Sequence, residues 1–250
     1  MSVSDEQINA IVDRVVEQLV PGLGPDPPGD NSSPKETAEP AQKKEEPQET
    51  DGSTAEVAGN RGCFPDIDTA INAAERAFLD YKAVPVEQRK RIIAAIREIC
   101  GNHIDEISKM AVTETGLGRY DDKLRKNKLA ILKTPGVEDV EPAAFTGDDG
   151  LTLHEKAPYG VIGSITPCTN PTETIICNGI GMIAGGNSVT FNPHPSAKKI
   201  SMYTVNLMNK AVISEGGPPN LFTTIYNPTI ESAQALMTHP KTGLLVVTGG

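Results

Sequence analysis

Between Tyr159 and Gly250 four short runs rich in β-branched residues alternate with helical segments. That alternation predicts βαβ units, a parallel sheet and right-handed crossovers. The first run, Val161 to Ile165, fits a strand buried on both faces. The chemistry then changes: Thr166-Pro167-Cys168-Thr169-Asn170-Pro171 sets hydroxyl, thiol and amide side chains at the strand's carboxyl end. Its two prolines stiffen the exit and deny it regular hydrogen bonding. In an open α/β sheet that end is where ligands bind.

The plan then repeats. Glu173 to Ala184 reads as a buried helix stopped by Gly185-Gly186, and Ser188 to Phe191 as the second strand. Asn192-Pro193-His194-Pro195 forms a second polar, proline-fixed exit. Ser196 is placed to cap a helix from Ala197 to about Ile213, with Ile200, Tyr203, Thr204, Leu207 and Met208 on one face. A third strand spans Leu221 to Ile225, a helix Thr229 to Met237, and a fourth strand Leu244 to Thr248.

Ahead of this block, the chain changes character twice. Ser4 to Val20 reads as an amphipathic helix with Ile8, Ile11, Val12, Val15 and Leu19 in one stripe. Alone it is marginal, so something must bury that stripe: the body, an oligomer mate, or a groove on a separate protein. Residues 21–62 are Pro, Gly, Ser, Glu and Lys with almost nothing apolar, and read as a disordered linker. The body, 63–250, opens with helices predicted over Ile67 to Tyr81, Val86 to Cys100, His103 or Ile104 to Thr113, and Tyr120 to Leu132. Arg89, Lys90, Arg91 and Arg97 are expected largely outward. Pro135 to Gly150 reads as an irregular acidic connector, and Leu151 to Lys156 alternates like an exposed strand that could pair with another subunit.

The overall balance narrows the function classes. A net charge of −10 offers no positive field for a nucleic-acid backbone. No apolar run reaches membrane-spanning length, and Met1 to Val20 carries acids where a signal peptide carries bases. Four cysteines without ligand or disulfide spacing read as reduced thiols in a cytoplasmic setting. The histidines His103, His154 and His239 do not converge with acids at metal spacing, so no metal site is expected.

Several long blocks together resemble one family. Val112 to Tyr120, Gly147 to Leu153, Ala157 to Pro171 and Phe191 to Pro195 are similar to the CoA-acylating branch of the aldehyde dehydrogenase superfamily. The likeness is nearest to the propionaldehyde and acetaldehyde dehydrogenases of bacterial microcompartments, and the leader with its linker resembles the encapsulation peptides of that group. The resemblance implies a Rossmann-like NAD-binding domain without the usual glycine fingerprint; Gly179-x-Gly181 accordingly falls inside a predicted helix. It further implies that Ile165, Thr166, Pro167 and Cys168 on one exit, with Asn192, Pro193 and His194 on the other, flank the cofactor. Thr248, Gly249 and Gly250 would lead into the helix whose amino end faces the pyrophosphate.

The family reaction needs a cysteine thiolate, a pocket for the oxyanion, hydride loss to NAD and attack by coenzyme A on the thioacyl enzyme. By resemblance the reactive cysteine belongs to a domain that would follow Gly250, so the chain is expected to be an amino-terminal fragment, inactive alone. Asn170 or Thr169 would supply the oxyanion contact, and the sequence leaves open which of them faces the site. Cys168 is read as packing or lining the cofactor, and Cys177 as core. Arg119 and the basic face of Tyr120 to Lys128 would attract CoA phosphates or simply be solvated. The expected whole is an NAD-dependent enzyme turning a short-chain aldehyde into its acyl-CoA in a microcompartment lumen. It would be a homo-oligomer docked on a shell protein through residues 4–20, with no nucleic-acid or membrane partner. The alternatives are a noncatalytic docking protein of the microcompartment and an aldehyde dehydrogenase acting without CoA.

Overall fold

The structure is a computed structural model that describes residues 62–249. The leader 4–20, the linker up to residue 61 and Gly250 lie outside the described residues. Five strands, β1 (Cys63–Phe64), β4 (Val161–Thr166), β5 (Ser188–Pro193), β6 (Phe222–Ile225) and β7 (Thr242–Val247), form one sheet in the order β1-β6-β5-β4-β7. Every pairing in it is parallel. The fold is thus the α/β, parallel-sheet arrangement that the alternation predicts, Rossmann-like as the resemblance implies.

The order is informative. The chain steps from β4 to β5 to β6 in one direction, then returns to lay β7 on the other side of β4. The reversal puts a topological switch point between β4 and β7, where the carboxyl ends of an open sheet part to form a crevice. Helices α5 (Pro171–Ala184) and α6 (Lys198–Ser214) make the crossovers from β4 to β5 and from β5 to β6. The return to β7 runs through α7 (Ile230–Thr238). The helix α1 (Ile67–Tyr81) packs on β4, β5 and β6, and α7 contacts α1. Outside α5 and α6 lie α2 (Val86–Asn102), α3 (Ile104–Thr115) and α4 (Tyr120–Lys133).

That extra layer explains why α5 and α6 are so apolar. Ile175, Ile176, Ile180 and Ile183 of α5 and Ile200, Val205, Leu207, Met208 and Val212 of α6 are buried, sharing a core with Phe191, Phe222, Ile92, Ile96 and Ile107. Each such side chain removed from water contributes about 1.5–3 kcal/mol. The other side of the sheet has a smaller core of Ile67, Ala70, Ile71, Ala74, Val161, Ile225 and Leu236.

Two side chains lock the layers in register. Asn187 Oδ1 accepts the amides of Tyr159 at 2.6 Å and Gly160 at 3.1 Å, while its Nδ2 donates to the Met182 carbonyl at 2.9 Å, fixing the entrance to β4 against the end of α5. Glu114, at the end of α3, accepts the amides of Lys199 and Ile200 at 2.8 and 2.7 Å and so caps α6. This corrects the expectation for Ser196, which sits in a short 3-10 turn, Pro195–Ala197, and directs its amide to His194 Nδ1. The helix predicted to end at Thr113 runs on through Glu114 and Thr115 and stops at Gly116, in the left-handed region at φ 68°.

Other expectations are also corrected. The connector 135–150 is not irregular throughout: it holds a 3-10 turn, Val137–Val140, and strand β2 (Ala143–Gly147), which pairs antiparallel with β3 (Gly150–His154). Neither strand lies in the main sheet, and Phe145, Leu151 and Leu153 are exposed. Arg89 and Arg97 are half-buried. Arg89 lies over the Tyr81 ring at 5.1 Å, and Arg97 donates to the carbonyls of Ile131 and Thr134 at 2.9 and 2.6 Å, satisfying the end of α4. On α1, Ala73 and Ala77 take part in the buried face and Phe78 is half-buried.

Candidate active site at the strand exits

The two proline-fixed exits are neighbours. Ile165 pairs with Asn192 and Thr166 with Pro193, so Asn192 and Pro193 extend β5 beyond its predicted end. The His194 amide then donates to the Thr166 carbonyl at 3.0 Å. On the other side the Thr248 amide donates to the Ile165 carbonyl at 3.0 Å. Gly249 follows at φ 98°, where a β-carbon would come within 3.0 Å of Pro167 Cβ. Residues 165–168, 192–194 and 248–249 therefore meet at the switch point.

Within this corner Thr166 is buried and its Oγ1 has no hydrogen-bond partner among the described residues. Asn192 is buried and accepts from Ser232 Oγ at 2.6 Å, joining the β5 exit to the capped start of α7. His194 is exposed, and Pro167 and Cys168 are half-buried. Gly179 and Gly181 both lie inside α5, so neither belongs to a strand-to-helix phosphate loop.

From the corner a groove of about 590 Å³ opens between α4 and α5, lined by residues that include Leu129, Ala130, Asn170, Thr174, Cys177 and Thr248. A second hollow of about 290 Å³ lies on the other side of Asn170, against Leu117, Arg119, Lys123 and Thr169. Of the two oxyanion candidates, Asn170 borders both spaces, whereas Thr169 is exposed and borders the second. A third hollow, about 340 Å³, lies beyond Ser232 at the end of β6, with Asp66, Asp68 and Glu231 on its walls.

Three residues of the site escape a reading from sequence. Lys123 of α4 is 2% exposed; its Nζ donates to the Thr169 carbonyl and stands 3.5 Å from Oε1 of Glu173, itself 8% exposed. Lys126, one turn on, donates to Asn170 Oδ1 at 3.1 Å. A solvated basic face is thus the wrong description of α4 at Lys123. The missed signal is Asn170-Pro171-Thr172-Glu173, which has the capping-box spacing. Here Glu173 turns from the helix end toward Lys123, and Asn170 makes no side-chain cap. Behind them Thr172 Oγ1 lies 3.0 Å from Glu173 Oε2 and 2.7 Å from Asn127 Oδ1, and Asn127 donates to Ser108 at 3.0 Å.

The cysteines separate by environment. Burial pushes the Cys63 thiol up to about 11 and Cys100 up to about 12, so both stay protonated near neutrality. Cys168 packs against the helical core. Cys177, expected in the core, is exposed on the groove wall, because α5 buries the flank carrying Ile176 and Ile180 and turns Cys177 toward α4. Among the described residues no three His, Cys, Asp or Glu side chains converge in a way that could hold a metal. No helix among them is long and apolar enough to cross a membrane.

Comparison with known proteins agrees with this architecture. Residues 36–250 match the family model described as "Aldehyde dehydrogenase family". Over 196 residues the chain is 50% identical to acetaldehyde dehydrogenase (acetylating) EutE of Salmonella typhimurium, covering 78% of this chain and 42% of the relative. It is 47% identical to propanal dehydrogenase (CoA-propanoylating) of Citrobacter freundii, also over 196 residues and with the same coverage. The solved propionaldehyde dehydrogenase of Rhodopseudomonas palustris, with bound CoA and an acylated cysteine, superposes with a TM-score of 0.74 at 49% identity, covering 76% of this chain and 44% of that one. The chain therefore spans somewhat over two fifths of the length of these relatives. A family match over most of the sequence, together with a parallel sheet whose switch point falls at the exits, makes this chain a member of the aldehyde dehydrogenase family.

Proposed function

We propose that this chain forms the cofactor-binding part of an NAD-dependent, CoA-acylating aldehyde dehydrogenase that turns a short-chain aldehyde into its acyl-CoA. The observation that carries this reading is Asn170, which stands where the β4 exit, the β7 exit and the groove meet. Its carboxamide is the donor for the oxyanion that forms when the aldehyde carbonyl is attacked, and Thr169 is set aside because it is exposed and off the groove. The groove between α4 and α5 receives the aldehyde chain, with Leu129, Ala130 and Cys177 on its walls.

The corner also suits a nicotinamide dinucleotide. Gly249 brings backbone against Pro167 with no side chain between, and Thr166 Oγ1, without a hydrogen-bond partner among the described residues, lies at the end of β4. NAD, when bound, accepts the hydride, and coenzyme A carries away the acyl group as a thioester. Thr166, Pro167 and Cys168 would hold the cofactor from one side, and Asn192, Pro193, His194 and Gly249 from the other. Cys63 and Cys100 are buried and Cys168 packs against the helical core; these three and Cys177 are assigned no covalent step, and this stretch alone is expected to be inactive. We assign the exposed hairpin β2–β3 to pairing with a second copy. Residues 4–20 are assigned to docking on a microcompartment shell, with the lumen as the working compartment; a solved relative, the propionaldehyde dehydrogenase of Clostridium phytofermentans, comes from such a compartment.

The test is an assay of the complete gene product with short aldehydes and NAD, with and without CoA, reading NADH and thioester. Thioester formed in step with NADH supports the reading. Free acid formed regardless of CoA would favour a dehydrogenase without an acylating step, and no NADH at all a noncatalytic docking protein. For the leader, exchanging Ile11 and Val15 for Glu should release the enzyme from shell proteins with soluble activity intact; unchanged co-purification would sink that assignment.

A further inference from the structure

The helix α4 lays two lysines, one turn apart, on the corner that ends β4. Lys123 holds backbone, the carbonyl of Thr169, and is itself held by buried Glu173. Lys126 holds a side chain: its Nζ donates to Asn170 Oδ1 at 3.1 Å, and it stays on the rim, bordering the groove and the neighbouring hollow. An ammonium group has donors and no acceptor, so the carboxamide must meet it with oxygen. That contact leaves the two N–H donors of Asn170 on the other side of the amide, and Nδ2 makes no hydrogen bond among the described residues. A cation on the oxygen also draws electron density from the nitrogen, which makes the N–H bonds stronger donors.

We propose that Lys126 is a positioning residue of the reaction, orienting and polarising Asn170 so that its N–H donors meet the oxyanion derived from the aldehyde oxygen. The proposal rests on the reading of Asn170 as the oxyanion donor. Lys126 touches none of the reacting atoms; it acts through Asn170. The geometry separates it from Lys123, whose grip on backbone and on a buried carboxylate is a matter of fold stability.

The experiment compares Lys126→Met, Lys126→Arg, Asn170→Ala and the double variant Asn170→Ala/Lys126→Met in the complete gene product, following steady-state thioester formation and the initial burst of NADH. Asn170→Ala should lower kcat by about 10²–10³-fold, as loss of an oxyanion donor does. Lys126→Met should lower kcat by about tenfold, the order expected for a lost hydrogen bond to a charged group, with KM for aldehyde and NAD nearly unchanged. Lys126→Arg should recover most of the loss. In the Asn170→Ala background Lys126→Met should change the rate by less than about twofold, because coupled residues do not act additively. Wild-type kcat in Lys126→Met, an effect confined to KM for the aldehyde, or an undiminished loss without Asn170 would each overturn the proposal while leaving the proposed function standing. Wild-type turnover by Asn170→Ala would remove the oxyanion assignment, and the role of Lys126 with it.

Discussion

The Ile200 backbone amide donates to the Glu114 carboxylate at 2.7 Å, across 86 residues of chain. One side chain from the last turn of α3 thereby begins α6, and it sets an outer helix against the sheet layer. The carboxylate also lies at the positive end of the α6 dipole. Replacing Glu114 with Ala should lower unfolding free energy by about 1 kcal/mol, the usual worth of a helix cap, and Gln should lose less. Urea denaturation followed by far-UV circular dichroism measures it; equal stability of all three proteins would show that solvent substitutes fully for the cap.

A larger effect is expected at Lys123. Both members of the Lys123–Glu173 pair are withdrawn from water, so Lys123→Met strands a buried carboxylate. Breaking such a pair costs about 3–5 kcal/mol, whereas replacing both members by apolar groups restores part or all of it. Lys123→Met should unfold at markedly lower urea than wild type, and Lys123→Met/Glu173→Leu should lie between them or above. A double variant no more stable than the single one would refute this account of the pair.

The thiols give a pH prediction with a definite sign. Cys63 and Cys100 ionise in the folded state only near 11 and 12, against an ordinary value of 9.0. The unfolded chain therefore loses these protons first. Their contribution to stability is complete below pH 9 and is lost as pH rises from 9 toward 11–12. Melting temperature should fall through that window. At pH 8, peptide mapping after brief alkylation should find Cys177 modified first and Cys63 and Cys100 protected until unfolding. Early labelling of Cys100 would contradict the burial argument.

Gly249 is the position at the switch point least tolerant of a side chain. At φ 98° and backed by Pro167, a valine there would strain the backbone and push into the corner. Strain of this kind is worth about 1–3 kcal/mol. In the complete gene product Gly249→Val should weaken NADH binding by on the order of tenfold, an energy of about 1.4 kcal/mol. Fluorescence titration reads it directly, and affinity within about twofold of wild type, under 0.5 kcal/mol, would count against this corner as the cofactor site.

What could be read from the sequence was the part governed by local pattern. Val161 to Ile165 and Ser188 to Phe191 announce buried strands by composition, and the prolines after them announce where pairing stops. A stop at Asn192 is two residues too early, because Asn192 and Pro193 still pair with Ile165 and Thr166. The hairpin strand Ala143–Gly147 carries no pattern to read, since neither of its faces is buried and nothing enforces alternation. Cys177, Lys123 and Lys126 depended on where α4 crosses α5, a tertiary fact that no window of sequence contains. Cys177 looked like core by its neighbours and became groove wall; Lys123 looked like surface and became core.

Along α5 the two flanks serve different masters. Ile175, Ile176, Ile180 and Ile183 anchor the rod to the layers around it, while Cys177 faces open space. A methyl, a ring or a hydroxyl exchanged at that one wall position would reshape the channel while leaving the anchoring isoleucines in place. On the function proposed above, aldehyde length preference would be a trait that such a scaffold alters a codon at a time, with the proposed dinucleotide corner left as it is.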